Sequence, residues 1–343
     1  MDKRKKMIGI VLIWGVLGAL YFTGIYRDSV FSVREAEDQK VLSALTARVE
    51  GELGRFTQAI EAMLRIIAKW GMTGELDSGG VPSLCVKVLP LLDEYRRVSG
   101  LILATGRGKE IALLKQGNQW ALELSGIDPS SIDLTSVPGL AKRVAAVRSS
   151  APDYDPRSRP WFRKAAMGGA GGLKAAWTAP YRFFGKDNDG ITASMGWRDD
   201  EGVDHIVAAD VLLRDFIDFI ASLDPGPQAR LFLAKADRSL IFPAKPEGPF
   251  LALIEQWARD AKSGDGKPLG DGTLSFLFQG RKWRVETRSL EKQKEQLIFG
   301  VLMPVPERTF RLRVGGMAGF LLTGAWFAVL GIFLWRFYPR SVA

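Results

Sequence analysis

The chain has 343 residues, with 47 Lys and Arg against 38 Asp and Glu, one histidine (His205) and one cysteine (Cys85). A single His and a single Cys leave almost no means of building a zinc, haem or thiol centre. Any Ser/His/Asp or Cys/His nucleophile system would have to run through His205, so neither a cofactor nor an enzymatic activity is expected. The net charge of +9 is largely terminal: residues 28–313 carry 40 basic and 37 acidic side chains, which argues against a nucleic-acid-binding stripe.

The chain opens with the basic cluster Lys3 to Lys6, followed by the uncharged run from Met7 to Tyr26. A second uncharged run extends from Val314 to Trp335. A bilayer core of roughly 30 Å is crossed by about 20 apolar residues, so both runs are long enough to span it. The first run exceeds the apolar stretch of a cleaved secretory signal and reads as an anchor. Clustered basic residues stay cytoplasmic. The expectation is a two-pass protein of the inner (plasma) membrane. Its tails are 1–6 and 336–343, its transmembrane helices are 7–26 and 314–335, and residues 27–313 are extracytoplasmic. A lone cysteine gives that region no intrachain disulfide, so its core alone must hold it together.

After the first span the texture is helical. Val49, Leu53, Phe56, Ile60, Met63, Ile67 and Trp70 recur at alternating spacings of 4 and 3, the seam of an amphipathic or coiled-coil helix. A stalk helix is predicted over 27–75. Its stripe packs on its own domain, on a second copy, or partly on each. Together with the Gly315/Gly319 pair in the second span, it raises the expectation of a homodimer.

Two mixed α and β units are expected beyond Gly79-Gly80, over 76–224 and 225–313. Val81 to Arg97 reads as a helix. Ser99 to Thr105, Glu110 to Leu114 and Gln119 to Leu124 read as strands. Pro138 to Arg148 reads as helical, with its proline in the first turn. Ile191 to Trp197 and Val203 to Leu212 form a hairpin about Asp199-Asp200-Glu201-Gly202, followed by a helix from Leu213 to Leu223. Asp224-Pro225-Gly226-Pro227 is the internal linker. In the second unit, Arg230 to Ala234, Leu240 to Phe242, Thr273 to Phe278, Lys282 to Thr287 and Gln296 to Met303 are strands, and Phe250 to Ala261 is a helix. Asp187-Asn188-Asp189-Gly190 has the look of a calcium loop, but EF-hand register puts glycines at its first and last positions, so a hairpin turn is expected.

The densest chemistry lies between Asp153 and Phe162 and in Trp177-Thr178-Ala179-Pro180-Tyr181. Arg159 can hold a carboxylate through paired hydrogen bonds. Tyr154, Trp161, Phe162 and Tyr181 can wall a pocket with rigid aromatic faces, which also attract ammonium groups. Asp210 interrupts the apolar run from Ile206 to Leu212, where a carboxylate needs a partner. Other roles remain open: Arg159 paired with Asp153 or Asp155, Trp161 and Phe162 as core, and Asp210 as cap of the following helix.

The order of helix, strands, Y-x4-R-x-W-F, W-x-x-P-Y and a later strand aspartate resembles the double-Cache extracellular sensor domain over about 28–313. The resemblance implies an α+β fold, in which a long stalk helix carries two PAS-like units with antiparallel sheets between two membrane spans. Carried over from the amino-acid-sensing branch, Tyr154, Arg159 and Trp161 would face a ligand carboxylate, and Tyr181 and Asp210 would hold its amino group. That branch usually has tyrosine where this chain has Phe162. The function expected is therefore a membrane-anchored sensor of a small ligand, an amino acid or amine. Eight residues follow Trp335, so signalling is expected to pass through a separate partner. The alternative is a non-sensing accessory protein that uses the same fold as a protein-binding surface.

Overall fold

The computed structural model describes residues 3–76, 79–167, 173–184, 188–235, 237–262, 271–290 and 297–305. The side chains of 3–35, apart from Ile13 and Gly18, and of 257–262 are not among them. Two compact units are present: Ala44–Pro304, which holds both sheets, and Met1–Ser43 with Val305–Ala343.

The first element, α1 (Lys3–Met72), is one continuous helix. Five members of its predicted stripe, Val49, Leu53, Ile60, Met63 and Ile67, are each at most 4% exposed within this single chain, while Phe56 and Trp70 are half-buried. Of the alternatives left open by the spacing, packing on its own domain accounts for these five positions. No helix among the described residues is both long and apolar enough to cross a membrane. The backbone of 7–26 is helical, but nearly all its side chains lie outside the described residues, as does the whole expected span 314–335 with Gly315 and Gly319.

Next come α2 (Gly80–Glu94), β1 (Gly100–Thr105), β2 (Glu110–Gln116) and β3 (Gln119–Ser125). The predicted helix over Pro138 to Arg148 is corrected here. Only α3 (Leu140–Arg143) is helical, and β4 (Val144–Ser149) follows at once. The alternative to a second helical turn is a ladder: β4 pairs in parallel with β3, and Arg148 reaches Glu123 across it at 3.2 Å. Three elements that periodicity does not reveal come next: α4 (Pro160–Met167), β5 (Ala176–Trp177) and β6 (Tyr181–Arg182). They are followed by the expected hairpin of β7 (Asp189–Arg198) and β8 (Asp204–Leu212), and by α5 (Leu213–Ser222).

These strands form one sheet in the order β4-β3-β2-β1-β8-β7-β5, with β6 also paired to β7. Ile102, Ala112, Leu114, Ile206 and Ala208 share a buried cluster with Trp161 and Phe162 of α4. Side chains two residues apart share a face of a sheet, so this cluster defines the face toward α4. Residues 44–72 of α1 meet α5, where Phe56 lies 5.7 Å from Phe216 and 4.8 Å from Phe219 between ring centres.

A second sheet begins beyond the Asp224–Pro227 segment. It contains β9 (Arg230–Lys235), β10 (Leu240–Phe242), β11 (Gly272–Phe278), β12 (Arg281–Ser289) and β13 (Leu297–Pro304), in the antiparallel order β10-β9-β13-β12-β11. Helix α6 (Pro249–Lys262) contributes Phe250 and Leu253 to a core with Phe232, Phe276, Val285 and Leu302. The architecture is α+β with two mainly antiparallel sheets and a long N-terminal helix, as expected.

Candidate functional site

A cavity of about 180 Å³ opens over the α4-facing side of the first sheet, lined by Tyr154, Arg159, Trp161, Tyr181 and Asp210 together with Glu110. Five of the six side chains singled out by sequence thus converge on one hollow. The sixth, Phe162, does not line it; its ring is buried 5.7 Å from that of Trp161 in the cluster beneath.

Each wall has a local cause. Asp155 accepts the backbone N–H of Arg157 at 2.9 Å and opens a single helical turn, Pro156–Ser158. Pro160 then starts α4 where its missing N–H costs nothing. Arg159 and Trp161 are held at that corner because Ser194 donates to the Trp161 carbonyl (2.9 Å) and Lys164 donates to the Trp177 carbonyl (2.9 Å). Tyr181 is placed by the pairing of β6 with Gly190.

The alternatives left open by sequence resolve as follows. Asp155 is engaged by Arg157, with its Nη2 at 2.9 Å. Arg159 forms no ion pair among the described residues. It donates to the Arg182 carbonyl at 3.2 Å and lies 5.5 and 5.6 Å from the ring centres of Tyr181 and Phe184. Asp210 does not cap α5, whose first turn is preceded by Leu212 with no side-chain cap. Instead Asp210, 7% exposed, accepts from the Thr192 hydroxyl at 2.6 Å. That hydroxyl spends its proton on Asp210, so Tyr181 donates to Thr192 (2.7 Å). The result is a directed chain from Tyr181 through Thr192 to a buried carboxylate.

Sequence reasoning missed Glu110 and Thr192. Glu110 is 3% exposed and accepts from the Tyr154 hydroxyl at 2.7 Å. Burial is the main reason its carboxyl is pushed up to about 7; the Tyr154 bond and Arg159 pull the other way, while Asp210 and Glu123 add to the rise. Burial likewise raises the Tyr154 and Tyr181 phenols, which stay protonated as donors. The signal for Glu110 was strand parity: it shares a face with Ala112 and Leu114, which also line the cavity.

This arrangement offers one guanidinium, two buried carboxylates, two phenolic hydroxyls and an indole wall. It can hold a small ligand with charges of both signs, and nothing in it resembles an activated nucleophile.

No protein-family model matches this sequence, and no curated protein is significantly similar to it. Solved structures do share its fold. The sensory domain of the Campylobacter jejuni chemoreceptor Tlp3 with isoleucine bound superposes with a TM-score of 0.52 at 13% identity, over 80% of this chain and 95% of that one. The ligand-binding domain of the Pseudomonas aeruginosa amino acid chemoreceptor PctB in complex with L-Gln gives 0.51 at 16% identity, over 82% and 98%. This chain thus shares its fold with these solved domains, in line with the resemblance noted in its sequence.

Proposed function

We propose that this protein is a membrane-anchored sensor whose extracytoplasmic region, residues 27–313, binds an α-amino acid or a closely related amine. In this reading Arg159 takes the ligand carboxylate. Asp210, with the Tyr181–Thr192 chain behind it, takes the ammonium group. Tyr154 and Trp161 complete the walls, and Phe162 supports Trp161 from the core. The unit over 76–224 carries the ligand; the stalk helix (27–75) and the unit over 225–313 pass its effect toward spans at 7–26 and 314–335 and on to a separate signalling partner. The protein binds its ligand without turning it over.

The observation that supports this most is Arg159, which has no carboxylate partner among the described residues, at one wall, with Asp210 buried at another. A guanidinium and a buried carboxylate in one hollow are the complement of a zwitterion. The cavity is also smaller than the roughly 300–1,000 Å³ that accommodates drug-sized molecules.

Calorimetry on the full chain in detergent against a panel of amino acids and amines tests the reading. Losing one partner of a desolvated charged contact costs about 2–5 kcal/mol. Arg159→Ala and Asp210→Ala should therefore each weaken binding more than tenfold while the melting transition is kept. Absence of binding by every member of the panel would overturn it.

A further inference from the structure

Among the described residues, the cavity holds one more buried carboxyl than a simple zwitterion uses. An α-carboxylate on Arg159 and an α-ammonium on Asp210 use one charge of each sign and leave Glu110 over. Glu123, also on the cavity wall, pairs with Arg148 at 3.2 Å, so its charge is met within the protein. Glu110 has no such cation. One of its oxygens accepts from Tyr154, and the other receives no hydrogen bond among the described residues.

The sheet register separates the two buried carboxylates. Glu110 pairs across β1 with Ala104, and Asp210 pairs across the same strand with Gly100. They therefore lie four residues apart along β1 and on its opposite flanks, about 16 Å between Cα positions from standard strand spacings. Their side chains rise from the same face of the sheet and close part of that gap. What remains suits an extended ligand with a cation at each end.

We infer that the ligand is a dibasic α-amino acid, with its side-chain cation seated on Glu110. This inference rests on the amino-acid reading proposed above and adds a third contact to it. With such a ligand bound, Arg159, Asp210 and Glu110 each meet an opposite charge. A neutral amino acid offers Glu110 no cation, and burial then keeps its carboxyl largely protonated, without the charged contact a second ammonium would make. Glu110 is then a specificity-determining residue.

The test compares L-lysine with L-norleucine, which has the same aliphatic chain without the terminal amine, and with cadaverine, which lacks the carboxylate. Titrations use the full chain in detergent. Lysine should bind more than tenfold tighter than norleucine, and Glu110→Gln, which can still accept from Tyr154, should bring that ratio close to one. The groups facing Glu110 are Tyr154, Asp210, Glu123 and Arg159. Since burial holds its carboxyl near neutrality, the lysine preference should grow between pH 6 and pH 8 in the wild type and not in Glu110→Gln. Equal binding of lysine and norleucine, both lost in Arg159→Ala, would sink the dibasic inference and leave the amino-acid reading standing. Cadaverine binding as well as lysine and surviving Arg159→Ala would remove the carboxylate clamp, and with it both proposals. No binding by any of the three overturns the dibasic inference.

Discussion

Glu110 shows how a buried carboxyl burdens the folded protein. Its folded-state pKa, about 7, lies above the ordinary glutamate value of 4.5 because burial disfavours the charged form. A carboxyl raised in this way contributes stability that is present in full below pH 4.5 and disappears as pH climbs through 7. Glu110→Gln, uncharged throughout, should therefore melt close to the wild type at pH 5. At pH 8 it should be more stable by on the order of 3 kcal/mol. Thermal melts of the ligand-free chain at the two pH values measure this, and equal melting points at pH 8 would refute it. Gly190 carries the opposite kind of constraint, because any Cβ there would run into the Phe183 ring and the Val211 carbonyl. Arg159 and Asp210 could be found from sequence because each charge sits among aromatic or apolar neighbours that make it conspicuous. Glu110 was less conspicuous, since an acid opening a strand after the turn Gly106-Arg107-Gly108 looks like an ordinary solvated residue and only its parity with Ala112 and Leu114 points inward. Only the pairing of β2 with β1 turns it toward the cavity.

At the scale of elements, the long helix and the hairpin of β7 and β8 were legible because periodicity persists over many residues. The strand β4 was not. Its sequence, Val-Ala-Ala-Val-Arg-Ser, follows a proline and a helical turn, and only the ladder with β3 decides for strand. The two-residue strands β5 and β6 are too short to carry any period, yet they matter for the site. Trp177 on β5 donates its indole N–H to Glu61 of α1 at 2.9 Å, both side chains being buried. Thr178, next in the chain, takes the Thr192 amide on its hydroxyl at 2.9 Å, so the tie to α1 lies two residues from the chain that ends on Asp210. Losing a buried hydrogen bond costs about 1–3 kcal/mol. Trp177→Phe should lower the denaturant midpoint accordingly with no change in slope, and an unchanged midpoint would remove Trp177 as a tie between helix and sheet.

For the whole molecule, the proposed topology makes a direct prediction. Alkaline phosphatase fused at residue 225 should be active, and the same enzyme at the C-terminus inactive, because the basic cluster Lys3 to Lys6 holds the N-terminus inside. The reverse pattern would overturn the two-pass arrangement. The stripe on α1 is what sequence alone could not assign: spacing identifies a seam but not its occupant, and here Phe56 meets Phe216 and Phe219 of the chain's own α5.

That assignment sets a timetable for the chain as it is made. Phe56 meets Phe216 and Phe219, and Glu61 meets Trp177. These partners of α1 are synthesised more than a hundred residues after the positions they meet. At about 5–20 residues per second, the stripe waits on the order of 10–30 s before Phe216 emerges. Phe56 is thus made long before the two rings that meet it, and the nascent chain must keep it from other apolar surfaces until they arrive.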